Sequence, residues 1–367
     1  MKSLYEQVYE TLKKEITSGK HKVGDRIPSE KKLSETFEVS RITSKKALEK
    51  LMHEGYVYRQ RGKGTFVSDF QNEKNANKNS VKKKTPLFGL IVTSLGDDAF
   101  GSGFVNSIIE ESSGKSLIIL KSSLGVPERE EQIVKELLDY GVDGIIVSPA
   151  QGEHYGSEIL KMVVNKFPLV LIDRTFKGIA ATSVSTDNQE AAKKGVNFLF
   201  ELGHEDIGVM MPTNYGATTI ENRLSGIVSA FAEKQVKVNR DLWCSEIKST
   251  LPIPQATPEE DIEIIKQHIR DNPEMTAIFA LEYAIALLVK NAVEQLGMDV
   301  PKDISILCFD SPSRTDVVCN FTYIKQNEEE LGKTALQRLL GMYQGEAAIK
   351  KDRIPAELII GNTTKAI

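Results

Sequence analysis

PSEKKLSETFEVSRITSKKALEKLMHEGYVYRQRGKGTFV, residues 28–67, changes its periodicity partway along and so outlines one small domain. Pro28-Ser29 opens a helix, with Ser29 as its N-cap and Leu33 and Phe37 on the buried face. After a short Glu38-Val39 connection, Ser40 caps a second helix whose Ala47, Leu48, Leu51 and Met52 face inward. From Gly55 the period shortens. Tyr56 to Arg59 reads as a strand, Gly62-Lys63-Gly64 as a tight turn, and Thr65-Phe66-Val67 as the returning strand. Upstream, Leu4, Val8, Leu12 and Ile16 lay one apolar stripe along a further helix, which Gly19 and Gly24-Asp25 end. Two short helices joined by a tight turn, followed by a two-stranded wing, predict an α+β winged helix-turn-helix over residues 1–68.

Charge separates this head from the rest of the chain. Residues 1–84 hold 20 lysines and arginines against 11 acidic residues, and the remaining residues hold 27 against 40. A basic head on an acidic body predicts that the head meets a polyanion and the body does not. Between them, residues 69–86 (DFQNEKNANKNSVKKKTP) offer almost no apolar anchor and read as a flexible linker.

Beyond the linker, apolar runs at 88–92, 116–120, 144–147, 169–172, 207–211, 277–280 and 304–309 alternate with helical stretches at 128–140, 189–202, 223–234, 261–270 and 284–296. Such alternation predicts parallel sheets covered by helices on both faces. It runs too long for one sheet, so residues 87–367 are expected to form an α/β domain of two lobes with a cleft between them. The expected division puts about 87–186 plus 327–355 in lobe one. About 187–326 plus the C-terminal segment then form lobe two. Ligands in open α/β sheets sit at the carboxyl ends of strands.

The phrases Gly24-Asp25-Arg26-Ile27-Pro28-Ser29-Glu30, Val39-Ser40-Arg41-Ile42-Thr43 and Gly62-Lys63-Gly64-Thr65-Phe66-Val67 resemble the winged helix of the gluconate-repressor (GntR) family, in its order and spacing. The resemblance implies contacts with double-stranded operator DNA from Arg26, Ser29 and Glu30. It implies others from Ser40, Arg41, Thr43, Ser44 and Lys45 on the recognition helix, and from Lys63 and Gly64 on the wing. Arg41 and Lys45 would reach base edges or phosphates in the major groove, and Lys63 the minor groove. The family pattern usually has arginine where Lys45 stands, and lysine lacks the bidentate fork.

The body carries Gly141-Val142-Asp143-Gly144, Ile172-Asp173-Arg174, Leu202-Gly203-His204, Glu221-Asn222-Arg223-Leu224-Ser225-Gly226, Val300-Pro301-Lys302-Asp303-Ile304-Ser305 and Ile324-Lys325-Gln326. These resemble the effector domain of the lactose/galactose-repressor (LacI/GalR) family and the related periplasmic binding proteins. The combination is similar to the bacterial arabinose-repressor architecture. Carried over, the effector-binding positions are Asp98, Phe100, Asp173, Arg174, Arg223, Glu282, Asp310 and Gln326. Carboxylates and arginine forks suit adjacent sugar hydroxyls, and Phe100 offers a flat apolar face. Glu282-Tyr283 replaces the Asn-Asp of relatives, and Asp97-Asp98-Ala99-Phe100-Gly101 replaces an aromatic-richer loop.

These readings predict a transcription regulator, a repressor released by a sugar-like effector, with activation left open. It is expected to be homodimeric, as half-site binding asks, and cytoplasmic, with no signal pattern or membrane span. No enzyme is expected: there is no Walker-type glycine loop or Gly-x-Ser-x-Gly, and the five histidines lack a placed nucleophile. No cofactor or metal is expected, and Cys244, Cys308 and Cys319 read as reduced thiols.

Overall fold

The protein was described from a computed structural model covering residues 4–60, 64–68, 85–94, 100–150, 156–213, 217–310 and 320–367. It divides into two units, Met1–Lys84 and Thr85–Ile367.

In the head, α1 (Leu4–Thr17) packs with α2 (Glu30–Thr36) and α3 (Arg41–His53) around Val8, Leu12, Ile16, Leu33, Leu48 and Leu51. Fully burying each such aliphatic contributes about 1.5–3 kcal/mol before the ordering entropy is counted. Both serine caps form: Ser29 accepts from the Lys32 amide at 3.3 Å, and Ser40 from the Thr43 amide at 3.1 Å. The wing is the antiparallel pair β2 (Val57–Gln60) and β3 (Gly64–Val67), with Tyr58 opposite Phe66. A third strand, β1 (Arg26–Ile27), adds to β3, Arg26 opposite Phe66. The sequence does not announce it, because two residues are too few to show a period of two.

Among the described residues the body holds two six-stranded sheets. The first runs from β5 (Leu117–Ser122) through β4 (Leu87–Val92), β6 (Gly144–Val147), β7 (Leu169–Ile172) and β8 (Thr182–Thr186) to β14 (Lys351–Ile354), all parallel. The second runs from β10 (Trp243–Ile247) through β9 (Ile207–Pro212), β11 (Ala277–Ala280), β12 (Ser305–Phe309) and β13 (Thr322–Lys325) to β15 (Glu357–Ile359). There only β15 is antiparallel. Residues of β4, β6, β7, β11 and β12 are buried on both faces, the mark of a helix-covered parallel sheet. In lobe one, Leu90, Ile146 and Val170 enter one core and Ile91, Ile145 and Leu169 the other.

Covering the sheets are α4 (Ser102–Ser112), α5 (Pro127–Tyr140) and α6 (Ser157–Val164) in lobe one. Lobe two has α8 (Thr218–Lys234), α9 (Pro258–Asp271) and α10 (Tyr283–Gln295). The remaining two helices change lobes. α7 (Asn188–Glu201) leaves β8 of lobe one, yet its Ala192, Val196 and Leu199 pack into lobe two. α11 (Glu328–Tyr343) leaves β13 of lobe two, yet its Leu331, Ala335 and Leu339 pack into lobe one. Glycine makes both dockings close. A Cβ on Gly226 would lie 2.0 Å from the Gln189 carbonyl oxygen, and one on Gly332 2.4 Å from that of Phe104.

Cys244 and Cys308 are buried, and Cys319 lies outside the described residues. His204 is fully buried, with its ring nitrogens 2.9 Å from Thr276 Oγ1 and 3.0 Å from the Lys365 carbonyl, so it serves packing.

Candidate DNA-contact face and effector cleft

On the head, Arg26, Ser29, Glu30, Arg41 and Gly64 line one shallow depression, with Arg59 on the same rim. Gly64 has φ of 128°, a backbone conformation that favours glycine, and the Arg26 guanidinium lies over the space a Cβ would take. Arg26, Ser29, Ser40, Arg41 and Lys45 are exposed, and Thr43 is half-buried beside Ser40, the two hydroxyl oxygens 2.8 Å apart. One expected contact is placed differently. Ser44 is fully buried with its hydroxyl turned toward the Ser40 carbonyl, because it falls on the inward face of α3 with Ala47, Leu48 and Leu51. It therefore belongs to the packing of the head and is withdrawn from the DNA-facing set. The Glu30 carboxylate lies 3.2 Å from Arg59 Nη2, which gives it a partner within the head. Lys63 lies outside the described residues. The outward face also shows Ile42, 69% exposed, which apolar patterning could have flagged because it departs from the inward stripe.

In the body, the expected effector residues stand where strands end. Asp173 follows β7 and Asp310 follows β12, equivalent places in the two sheets. Both adopt left-handed backbone, φ 66° and 63°, uncommon for a non-glycine residue. Each continues the ladder: the Asp173 amide donates to the Val184 carbonyl at 2.9 Å, and the Asp310 amide to Ile324 at 3.0 Å. Glu282 holds the N-cap position of α10 just past β11 without a side-chain capping bond, and Gln326 follows β13.

Arg223, in the second turn of α8, joins these groups. It is 5% exposed, and its Nε donates to Asn188 Oδ1 at 2.8 Å while Nη1 donates to the Leu281 carbonyl. Its guanidinium carbon sits 3.7 Å from the centre of the Phe309 ring. Burial draws the Arg223 pKa down, and the fields of Asp310, Asp173 and Glu282 raise it. Burial pushes the Asp310 carboxyl up to about 7, against the pull of Arg223 and of Gln326, whose Nε2 donates to its oxygens at 3.1 and 2.9 Å. Asp173 and Glu282 are likewise raised by burial and lowered by Arg174 and Arg223. Arg174 Nε lies 3.6 Å from Asp173 Oδ2, and its Nη1 donates to the Ala150 carbonyl at 3.1 Å.

Asp173, Arg174, Arg223, Glu282, Asp310 and Gln326 are thus brought together as one desolvated cluster of both charges. Phe100 is half-buried and tilted against Phe104, ring centres 5.8 Å apart, so its apolar face is partly taken up by the core of lobe one. Asp98 lies outside the described residues. Several supporting residues carry no sequence signal. Thr186 donates to Gln326 Oε1 at 2.6 Å, tying the two crossing segments to each other. Glu130, buried in α5, accepts the Ala150 amide at 2.7 Å and so backs the carbonyl that holds Arg174. Its carboxyl is pushed up by burial to about 7. Glu328 accepts three backbone amides at the start of α4.

The chain matches the bacterial regulatory proteins of the gntR family over residues 4–67 and a periplasmic binding protein-like domain over residues 196–364. It is 28% identical to the arabinose metabolism transcriptional repressor of Geobacillus stearothermophilus, over 99% of this chain and 98% of that protein. It is 26% identical to the repressor of the same name from Halalkalibacterium halodurans, over 96% of this chain and 92% of that one. A LacI family regulator from Enterococcus faecium, solved with bound ribose, superposes with a TM-score of 0.63 at 20% identity, over 77% of this chain and 99% of that chain, a likeness of fold. The head thus resembles the bacterial regulatory proteins of the gntR family, and the body resembles the periplasmic binding protein-like domain.

Proposed function

We propose that the chain is a sequence-specific transcription regulator, a repressor of carbohydrate-utilisation genes that leaves its operator when a monosaccharide-like effector occupies the cleft. The observation that carries this reading is one chain presenting its cations in two opposite states. Arg26, Arg41 and Lys45 stand exposed at the head, while Arg223 is buried and Arg174 half-buried among carboxylates at strand ends. Exposed cations on a helix that starts with a capped serine suit phosphate oxygens and guanine edges. Exposed Ile42 suits a thymine methyl. Buried carboxylates and arginines suit a polyol, whose hydroxyls both donate and accept. Its arabinose-repressor relatives and the ribose-bound neighbour support a pentose-like effector.

The regulator acts in the cytoplasm as a homodimer. The lobe-one edge supports the second part, since Ile109 of α4 and Leu117 of β5 are large apolar residues left 46% and 61% exposed. Fluorescence anisotropy of the protein on its own upstream DNA, with and without a panel of neutral, acidic and phosphorylated sugars, tests the proposal. Binding relieved by one sugar supports both halves. Tight binding indifferent to every sugar leaves only the head reading standing, and no binding overturns the regulator.

A further inference from the structure

The two helices that change lobes start alike. α7 begins Asp187-Asn188 and α11 begins Asn327-Glu328, with Asp187 and Asn327 as N-caps accepting from the Glu190 and Glu330 amides. The first residue inside each helix then reaches the opening helix of the lobe it enters. Asn188 holds Arg223 of α8, and Arg223 is itself in the cleft cluster. Glu328 reaches α4. One carboxylate oxygen, Oε2, accepts the amides of Gly101 at 2.7 Å, Gly103 at 2.9 Å and Phe104 at 3.4 Å. These are orphan donors of a helix start whose N-cap, Gly101, offers no side chain. Space is kept for the carboxylate: a Cβ on Gly103 would lie 2.8 Å from Glu328.

Glu328 therefore sits between two parts of the cleft. Two residues before it, Gln326 bonds Asp310 and Thr186. At its carboxylate it fixes the backbone of Gly101, Gly103 and Phe104, beside Phe100. We infer that Glu328 is a positioning residue for effector binding, one that sets the start of α4 against the Gln326–Asp310 side of the cleft without touching the effector. The assignment rests on the effector reading proposed above. The position-equivalent Asn188 supports it independently, since that residue does for a cleft arginine what Glu328 does for a cleft loop. The negative charge of Glu328 also complements the positive end of α4, which a neutral residue would do less well.

The test uses the full chain and its E328A and E328Q variants, with arabinose and ribose as probes. Operator affinity without sugar is read by anisotropy, along with the sugar concentration that gives half-release. Hydrogen exchange of the peptide spanning residues 100–108 is read alongside. With E328A, half-release is expected to need about tenfold more sugar, the scale of a lost charge-assisted helix-terminus contact. Exchange in that peptide should rise, while sugar-free operator affinity stays as in the wild type. E328Q keeps an acceptor oxygen in place and should recover most of the loss. Wild type released by sugar but E328A released at the same concentration overturns the assignment alone. So does a parallel fall of operator affinity and sugar response in both variants, the sign of a merely structural role. Wild type indifferent to both sugars overturns the pentose-like effector reading and this assignment with it.

Discussion

Arg41 and Arg223 both stand near the start of a helix, and the fold treats them in opposite ways. Arg41 is the first residue of α3, exposed, with its charge facing water. Arg223 lies one turn further into α8, 5% exposed, with two hydrogen bonds to the protein and a ring beneath it. An exposed arginine contributes little to stability and keeps its charge available to a polyanion. A buried one is part of the fold, because the carboxylates around it were desolvated on the condition that it is there. Head substitutions should therefore alter binding with little effect on folding, and cleft substitutions should alter both.

The largest effect expected is that of Arg223→Met, which keeps much of the volume and removes the charge. Asp173, Glu282 and Asp310 lose their shared cation, at a cost of roughly 3–5 kcal/mol of body stability. Removing the cation raises the folded-state pKa values of these carboxyls still further, so they avoid the penalty by binding protons at low pH. The loss should accordingly be greater at pH 8 than at pH 5, as urea denaturation at the two pH values would read. An equal loss at both would show that Arg223 works by packing rather than by charge.

Asp310 is next. Its folded pKa, about 7, lies above the ordinary unfolded value of about 3.9. Between those two values the folded chain holds a proton that the unfolded chain has released. Stability therefore falls as pH rises from about 4 to about 7, and the full cost is present above pH 7. Glu130, also pushed to about 7, contributes in the same window. Asp310→Asn should flatten the slope and raise sugar-free stability at pH 8 by roughly 2–4 kcal/mol, while removing sugar-dependent release from the operator. A slope that survives in Asp310→Asn but vanishes in Glu130→Gln would move the titration to lobe one.

The same contrast explains what the sequence could show. The head is built from local motifs: Ser29 and Ser40 cap the helices they precede, and Gly64 opens β3 opposite Gln60 at the end of β2. Its helices and wing pair are legible because neighbours in sequence are neighbours in space. Ser44 faces inward with Ala47, Leu48 and Leu51, a side of the helix that its spacing to those residues shows and a resemblance of phrase does not. In the body, long apolar runs such as 144–147 and 169–172 announce their strands. By contrast β8, with sequence TSVST, and β13, with TYIK, are short and partly polar and give no such sign. Those are the strands at which the chain changes lobes, so the pairings Thr186–Gln326 and Glu328–Gly101, spanning 140 and 227 residues, have no local trace. The left-handed backbone of Asp173 and Asp310 is invisible for the same reason: it is imposed by the ladder on either side.

At the head the expected effects are smaller and of another kind. Arg41→Ala should weaken operator binding by about 1–3 kcal/mol if Arg41 reads a base, and should relax preference at that base pair. Lys45→Ala should weaken all sequences alike and reduce the salt slope by about 1, the signature of a phosphate contact. The 3.7 Å Lys45–Glu49 pair is exposed on both sides, so its loss should leave the melting temperature unchanged.

The smallest effect is the one that best separates folding from binding within the head. Ser40 accepts the Thr43 amide, and Ser40→Ala should cost about 1 kcal/mol of head stability as a lost N-cap. Ser40→Asp restores the cap and favours the helix dipole, so stability should return to the wild-type level or above it. The same carboxylate, placed at the first turn of α3, would face DNA phosphates and should lower operator affinity well below that of Ser40→Ala. Stability restored together with affinity would mean that Ser40 only caps and that the phosphate contacts lie elsewhere, leaving Arg26, Arg41 and Lys45 to position the helix. Stability restored with affinity lost would place the N-terminus of α3 directly against the backbone of the operator.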